Sequence, residues 1–353
     1  MIRPMVEGLD FLAARVHGRR SRLAEAGRLE NLCRLPNSFE LGRAVYPDTE
    51  FHALADFQRR LAQDLVRELC GFLKHLEGPG ADLLGWMLAR FQVENVKVLV
   101  RAFVNRTPLE TPEEYLLSLP HGLALDVQTL LAAKSLEEFA ELLPLGAPRT
   151  SLRHALERSH DQPRPFFLEA ALDHGYFLEL LDKAEQLTGE DKELIKPILL
   201  QEVDAFHLML VVRGRFHYGL APELLLPLHV RGSGIPSERF GAMLAAADVV
   251  TAAGFAVGRA IDPMPSDHGP SDGSPAVDPS ALEALAWKRY LRLSNRAFRR
   301  SHMGLGTVIG YVGIRRVEVA NLITLSEGIR CGAAADRIHA RLMPRADLES
   351  VYV

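Results

Sequence analysis

The stretch "RFQVENVKVLVRAFVNRTP", Arg90 to Pro108, decides the fold. Its apolar residues fall at mixed i, i+3 and i+4 spacings on almost every side of a helix, which marks a helix buried all round. Yet Asn95 and Arg101 sit six apart inside it, and Gln92 stands three before Asn95. Residues three apart share a helix face, so an otherwise apolar helix carries one local polar pair.

The arrangement returns twice. In "QEVDAFHLMLVVRGR" Asp204 precedes His207 by three and Arg213 follows it by six; in "RRVEVANLITLSEG" Glu318 and Glu327 flank Asn321 in the same way. Asn95 and His207 are 112 residues apart, His207 and Asn321 114. Near-equal periods predict three copies of one unit. Upstream, "LEAALDHGY" at Leu168 and "LEALAWKRY" at Leu282 agree at Leu, Glu, Ala and Tyr, again 114 apart. A weaker echo links "LAAKSLEEFAELL" at Leu131 with "LAAADVVTAAGFA" at Leu244, and loosely with "LCRLPNSFELGRA" at Leu32. The expected division is 1–117, 118–229 and 230–353. Buried polar pairs must be hydrogen-bonded, and then they fix register between packed helices. The nine positions Gln92, Asn95, Arg101, Asp204, His207, Arg213, Glu318, Asn321 and Glu327 are therefore expected to hold a repeated packing device. Three copies of a catalytic site in one chain would be unusual.

Around this pattern the chain is rich in Leu, Ala, Glu and Arg and lacks long alternating runs of Val, Ile and Thr, which predicts an all-α fold. Its 353 residues are 48% hydrophobic and 24% charged, enough for a large core. The net charge of −4 gives no bulk attraction to nucleic acid or anionic lipid. Three scattered cysteines, Cys33, Cys70 and Cys331, imply neither a disulfide framework nor a thiolate zinc site, and fit a reducing cytoplasm. The N-terminus lacks the apolar core of a signal peptide, and no run reaches the roughly 20 apolar residues of a membrane span. Ala242 to Gly258 reads as one buried helix.

Helix starts are expected at Thr111-Pro112-Glu113-Glu114 and at Pro222-Glu223, and turns at Gly78-Pro79-Gly80 and Gly232-Ser233-Gly234. The segment 262–280, crowded with Pro, Gly, Ser and Asp, reads as a flexible loop whose aspartates do not match calcium-loop spacing.

No HExxH, GxxxxGK[ST] or GxGxxG occurs, and no cofactor, metal or catalytic residue is expected. His207 on its apolar helix reads as a satisfied core histidine. One basic feature stands out in "WKRYLRLSNRAFRRSH": Arg289, Arg292, Arg296 and Arg299 follow i, i+3, i+7, i+10 and line one helix face, widened by Lys288 and Arg300. A shorter basic run, "RVHGRRSR", lies at Arg15 to Arg22. The row is either a solvated face over Leu291, Leu293 and Phe298 or a contact for an acidic protein surface. No aromatic residues interleave it as a single-strand nucleic-acid platform would require.

These residues carry a resemblance to the C subunit of the prokaryotic V/A-type rotary ATPases, equivalent to the d subunit of the eukaryotic vacuolar enzyme. That family shows three helices reading roughly acidic-x-x-Asn-x5-Arg before a Gly-Leu-Ser-Pro-Glu-like turn, to which "VENVKVLVRAFVNRTPLETPEE", "DAFHLMLVVRGRFHYGLAPELL" and "EVANLITLSEGIRCGAAADRI" are similar. "FLAARVHGRRSRL", "FFLEAALDHGYFLELL" and "GLGTVIGYVGIRRVEVANLI" also resemble its segments. Gln92 departs from the family's acid, His207 from its Asn, and the 262–280 segment has the look of an insertion. The resemblance implies three similar helical domains in a pseudo-threefold funnel. It also implies a non-catalytic, monomeric subunit on the cytoplasmic side of the membrane, seated on the membrane rotor ring and receiving the central shaft. Readings from other classes are a helical scaffold for an unrelated complex and a helical enzyme.

Overall fold

The computed structural model describes residues 5–106, 112–159, 164–257 and 279–344. The fold is all-α: every regular element among the described residues is a helix. The chain begins with α1 (Met5–Arg20), α2 (Ala26–Cys33), α3 (Ser38–Val45), α4 (Leu54–Leu73) and the long α5 (Gly78–Asn105). Short helices α6 (Val127–Leu131) and α7 (Leu136–Leu142) lead to α8 (Ala147–Ser159) and α9 (Pro165–Glu185). Next come α10 (Gly189–Met209), a π-helical turn at Leu210–His217, α11 (Pro222–Leu225), α12 (Ser237–Ala245) and α13 (Val249–Val257). The described chain closes with α14 (Pro279–Arg300), α15 (Leu305–Arg330) and α16 (Ala335–His339).

Two compact units divide these elements. The first comprises Met1–Leu84, Thr188–Ile198 and Ala284–Val353; the second comprises Gly85–Leu187 and Leu199–Glu283. The first unit is organised on α15, whose residues are buried on every side from Leu305 to Ile314. Helices α1, α2, α3, α4 and α16 pack on it. Its Gly310 lies against α14 so closely that a Cβ would fall 2.6 Å from both the Phe298 nitrogen and the Ser294 carbonyl oxygen. In the second unit α8 packs along α9 and α12 along α13. There Gly175 of α9 leaves room for the Ala147 and Pro148 backbone, which a Cβ would strike.

Three short helices begin alike. Asn37 Oδ1 accepts from the Glu40 N–H at 2.9 Å, Ser135 Oγ from Glu138 at 3.2 Å, and Asp248 Oδ1 from Thr251 at 2.8 Å. Each cap satisfies an N–H that the first turn leaves free. These caps open α3, α7 and α13, the three segments joined by the weaker sequence echo.

The structure corrects three local expectations. Ala242 to Gly258 is not one helix: α12 ends at Ala245, and Asp248 starts α13 by bonding both the Thr251 N–H and its hydroxyl. The Thr111 start yields only a 3-10 turn, Pro112–Glu114, with Thr111 outside the described residues. The reason is that the Leu117 N–H, which a helix would direct back four residues, goes to Asn95 instead. Gly78 is not in a free turn; with φ +59 it opens α5, with Pro79 in the first turn. Pro222 does begin a helix, α11, at its first position. The expected loop at 262–280 lies outside the described residues except for Pro279 and Ser280, which open α14.

Candidate functional site: recurring polar clamps and an exposed arginine row

Asn95 is buried in α5, where it grips one residue of the following segment with both ends of its amide. Its Nδ2 donates to the Leu117 carbonyl at 2.8 Å and its Oδ1 accepts from the Leu117 N–H at 2.9 Å, 22 residues along the chain. Asn321, buried in α15, does the same to Met343, donating at 2.9 Å and accepting at 2.7 Å, again across 22 residues. His207 Nε2 accepts from the Val230 N–H at 2.9 Å, across 23 residues. An imidazole offers one acceptor where the amide offers an acceptor and donors, so this copy holds its partner at one point.

The residue three positions earlier makes a second tie. Gln92 Nε2 donates to the Leu123 carbonyl at 2.9 Å, and Asp204 Oδ1 accepts from the Ile235 N–H at 3.0 Å, each across 31 residues. Gln92 faces a carbonyl, where a carboxylate would have nothing to accept; that accounts for an amide in this copy. Glu318 instead accepts from the Ala24 N–H and pairs with Arg315.

The residue six positions later makes a third. Arg101 of α5 pairs with Glu169 of α9 at 2.5 Å, and Arg213 pairs with Glu283 of α14 at 2.8 Å. These are the glutamates at the second position of "LEAALDHGY" and "LEALAWKRY". Glu327 has an amide as its partner: Gln58 Nε2 of α4 donates to it at 2.8 Å, and Arg330 Nε at 2.6 Å. Sequence reasoning missed Glu169, Glu283 and Gln58, although the two glutamates lie inside the quoted repeat segments.

His207 is fully buried, its ring stacked on His229 with centroids 4.9 Å apart and 11° between planes. Because Nε2 accepts, the neutral ring must carry its proton on Nδ1, and Nδ1 has no partner among the described residues. Burial, then His229 and His174, push its pKa down to about 3. Burial likewise lowers His174, to about 4, against the opposing hydrogen bond from the His229 backbone and with help from His229, His154 and Arg158. The Ser151 hydroxyl lies 3.0 Å from His174 Nδ1.

A cluster of four charges also lies in the second unit. Asp173 meets Arg90 at 2.7 Å and Lys97 at 2.6 Å, and Glu94 meets the same two cations at 2.7 and 3.1 Å. The network is neutral in sum, and Arg90 stacks over Tyr176 and Phe177. Among the described residues no group of three or more His, Cys, Asp or Glu is placed to hold a metal ion. A cavity of about 260 Å³ in the first unit is lined by Glu25, Glu318, Asn321, His339 and Met343 among others. Its Asn321 and Glu318 are already bonded to Met343 and Ala24.

Arg289, Arg292, Arg296 and Arg299 are all exposed on α14, as is Arg300. Tyr290, Ser294, Ala297 and Phe298 are buried, while Leu291 and Leu293 are half-buried. Lys288 is half-buried as well.

The described residues thus form an all-helical chain with recurring side-chain-to-backbone clamps. The chain belongs to the ATP synthase (C/AC39) subunit family, which it matches over residues 12–341. It is similar to the C subunit of the A-type ATP synthase of Methanocaldococcus jannaschii, 22% identical over 313 residues, covering 87% of this chain and 77% of that protein. The protein of the same name from Methanosphaera stadtmanae is 22% identical over 249 residues, 69% of this chain and 63% of its own length. That from Haloquadratum walsbyi is 27% identical over 209 residues, 55% and 59% respectively. The chain thus spans under two thirds of the second and third of these relatives. No helix among the described residues is long and apolar enough to cross a membrane.

Proposed function

We propose that the chain is the non-catalytic central-stalk component of a V/A-type rotary ATPase, joining the central shaft to the membrane rotor ring at the cytoplasmic face and so coupling ATP chemistry to ion transport. The observation that carries this reading is the family match across residues 12–341. The clamps support it from within: Asn95–Leu117 and Asn321–Met343 span the same 22 residues, and Gln92–Leu123 and Asp204–Ile235 the same 31. On this reading the chain holds three copies of one helical unit in a pseudo-threefold funnel, with divisions near 117 and 229. The nine clamp positions hold register between helices and take no part in chemistry.

The test is affinity capture of the tagged full chain from its native membranes, followed by mass spectrometry. Ring and shaft subunits should accompany it, and a strain lacking the chain should keep ATP hydrolysis by the soluble head while losing ion pumping. Capture with partners that include no ATPase component would overturn the reading.

A further inference from the structure

We infer that the outer face of α14 is a docking surface for an acidic helix of a partner protein, gripped by the row Arg289, Arg292, Arg296 and Arg299. The inference rests on the chain being a connecting subunit and names the chemistry of one of its contacts.

Three observations carry it. The first is the absence of internal neutralisation. Some arginines on other helices are matched by acids of the same helix, Arg59 with Asp56, Arg60 and Arg67 with Asp64, Arg330 with Glu327; exposed ones without an acid among the described residues, such as Arg43, Arg239 and Arg337, stand singly on their helices and form no row. From Ala284 to Arg300 there is no Asp or Glu at all. None of Arg289, Arg292, Arg296, Arg299 and Arg300 is paired with an acid among the described residues. The helix dipole accounts for cations in the last turn, Arg299 and Arg300, but its influence fades beyond that turn and leaves Arg289, Arg292 and Arg296 unexplained.

The second is geometry. At 1.5 Å and 100° per residue the four side chains spread over about 15 Å of axis and within about 80° of arc. Carboxylates at i, i+3, i+7 and i+10 on a helix lying alongside would present the same repeat. A lipid surface or a polyanion needs no such register. The row is almost wholly Arg, whose planar fork binds a carboxylate with two parallel hydrogen bonds.

The third is seating. The opposite face of α14 is held at backbone distance from α15: a Cβ at Gly310 would collide with Phe298 and Ser294, and one at Gly313 would lie 2.9 Å from Ser294 Cβ. On its flank, Arg20 of α1 donates to Asn295 at 3.1 Å and stacks over Phe298, and the His17 ring lies 4.6 Å from the Phe298 ring. The basic run Arg15–Arg22 is thereby brought beside α14, with Arg19 and Arg20 used on Glu68 and Glu25. The backbone under the row is fixed in this way, so binding has only the arginine side chains to order.

The test uses the full chain in two variants, each captured from native membranes beside wild type. Arg292→Lys with Arg296→Lys keeps the charge and supplies amines that a carbodiimide joins to any touching carboxylate. A cross-linked peptide containing a helical acidic segment of another protein of the complex is the expected result. Arg292→Glu with Arg296→Glu should leave the melting curve of the isolated chain unchanged, yet weaken capture at low salt by about tenfold or more, as raising salt does for wild type. Undiminished capture together with no cross-link overturns the inference. So does binding to phosphatidylglycerol vesicles that the reversal abolishes while partner capture stays intact, since the row would then serve lipid. If wild type captures no ATPase component but still cross-links to an acidic helix, the proposed function fails and the docking surface stands.

Discussion

Asn321 holds both backbone groups of Met343, its amide nitrogen on the carbonyl at 2.9 Å and its amide oxygen on the N–H at 2.7 Å. An amide sets a donor and an acceptor side by side, and here it fastens the segment after α16 to the buried middle of α15. Asn321→Leu strands a donor and an acceptor with no other partner in sight. The expected cost is about 1 to 3 kcal/mol, read as a lower midpoint in urea with the slope unchanged. Asn321→Asp should be milder, because the Met343 N–H keeps its acceptor. An Asn321→Leu variant as stable as wild type would mean that the grip contributes nothing.

The pH dependence should come largely from the histidines of the second unit. His207 and His174 have folded pKa values of about 3 and 4, below the ordinary value near 6.5. The unfolded chain therefore takes up protons first as pH falls. Stability from these groups is complete above about pH 6.5 and declines below it, at roughly 1.4 kcal/mol per pH unit for each fully effective group, until the folded values are reached. His207→Gln keeps an acceptor for Val230 and removes one titration. Denaturation at pH 7.5 and 5.0 should show a smaller acid loss for the variant; equal losses would exclude His207 as a source.

The neutral network around Asp173 predicts an asymmetric response. Asp173→Asn removes the carboxylate that touches both Arg90 and Lys97 and leaves Glu94 as their contacting acid, with Glu202 and Glu169 farther off, and should cost about 3 kcal/mol or more. Lys97→Met leaves the excess negative charge shared with Glu94, whose side chain is 40% exposed and stays hydrated, so its cost should be smaller. Thermal unfolding of the two variants side by side decides the order.

The contact of Glu327 with Gln58 can be converted to the form of the other two junctions. Glu327→Arg alone loses the Gln58 bond and sets a cation beside Arg330; adding Gln58→Glu should recover stability. A double-mutant cycle should give a coupling of about 0.2 to 1 kcal/mol, the size of an exposed ion pair. No coupling would mean that position 327 has no working partner on α4.

The all-helical fold and the place of Asn95, His207 and Asn321 in long helices were legible because an apolar helix with a single polar pair is a rare pattern, and here it came at near-equal periods. What could not be read was the other end of each bond. The partners of Asn95, His207 and Asn321 are backbone groups of Leu117, Val230 and Met343, and a backbone group leaves no mark on residue identity. The same blindness produced the misread helix at Thr111, whose continuation is prevented by a side chain some twenty residues earlier. Asp248 lies inside the run read as one helix, although its side chain caps α13 by bonding Thr251 three residues on. Gln58 lacked a charge to draw attention. Nor does sequence tell an exposed arginine with a partner from one without; Arg101 and Arg292 look alike until their surroundings are known.

The backbone contact between α14 and α15 has a mechanical side. Where two helices meet through side chains, a sideways load is first absorbed by rotamers that can yield. At Gly310 nothing but main chain stands between Ser294, Phe298 and the α15 backbone. A push delivered to the outside of α14 therefore reaches α15 with almost no compliance, and α15 in turn is wedged among α1, α2, α3, α4 and α16. Any residue larger than glycine at 310 would open that gap and insert a spring into a joint that is otherwise stiff.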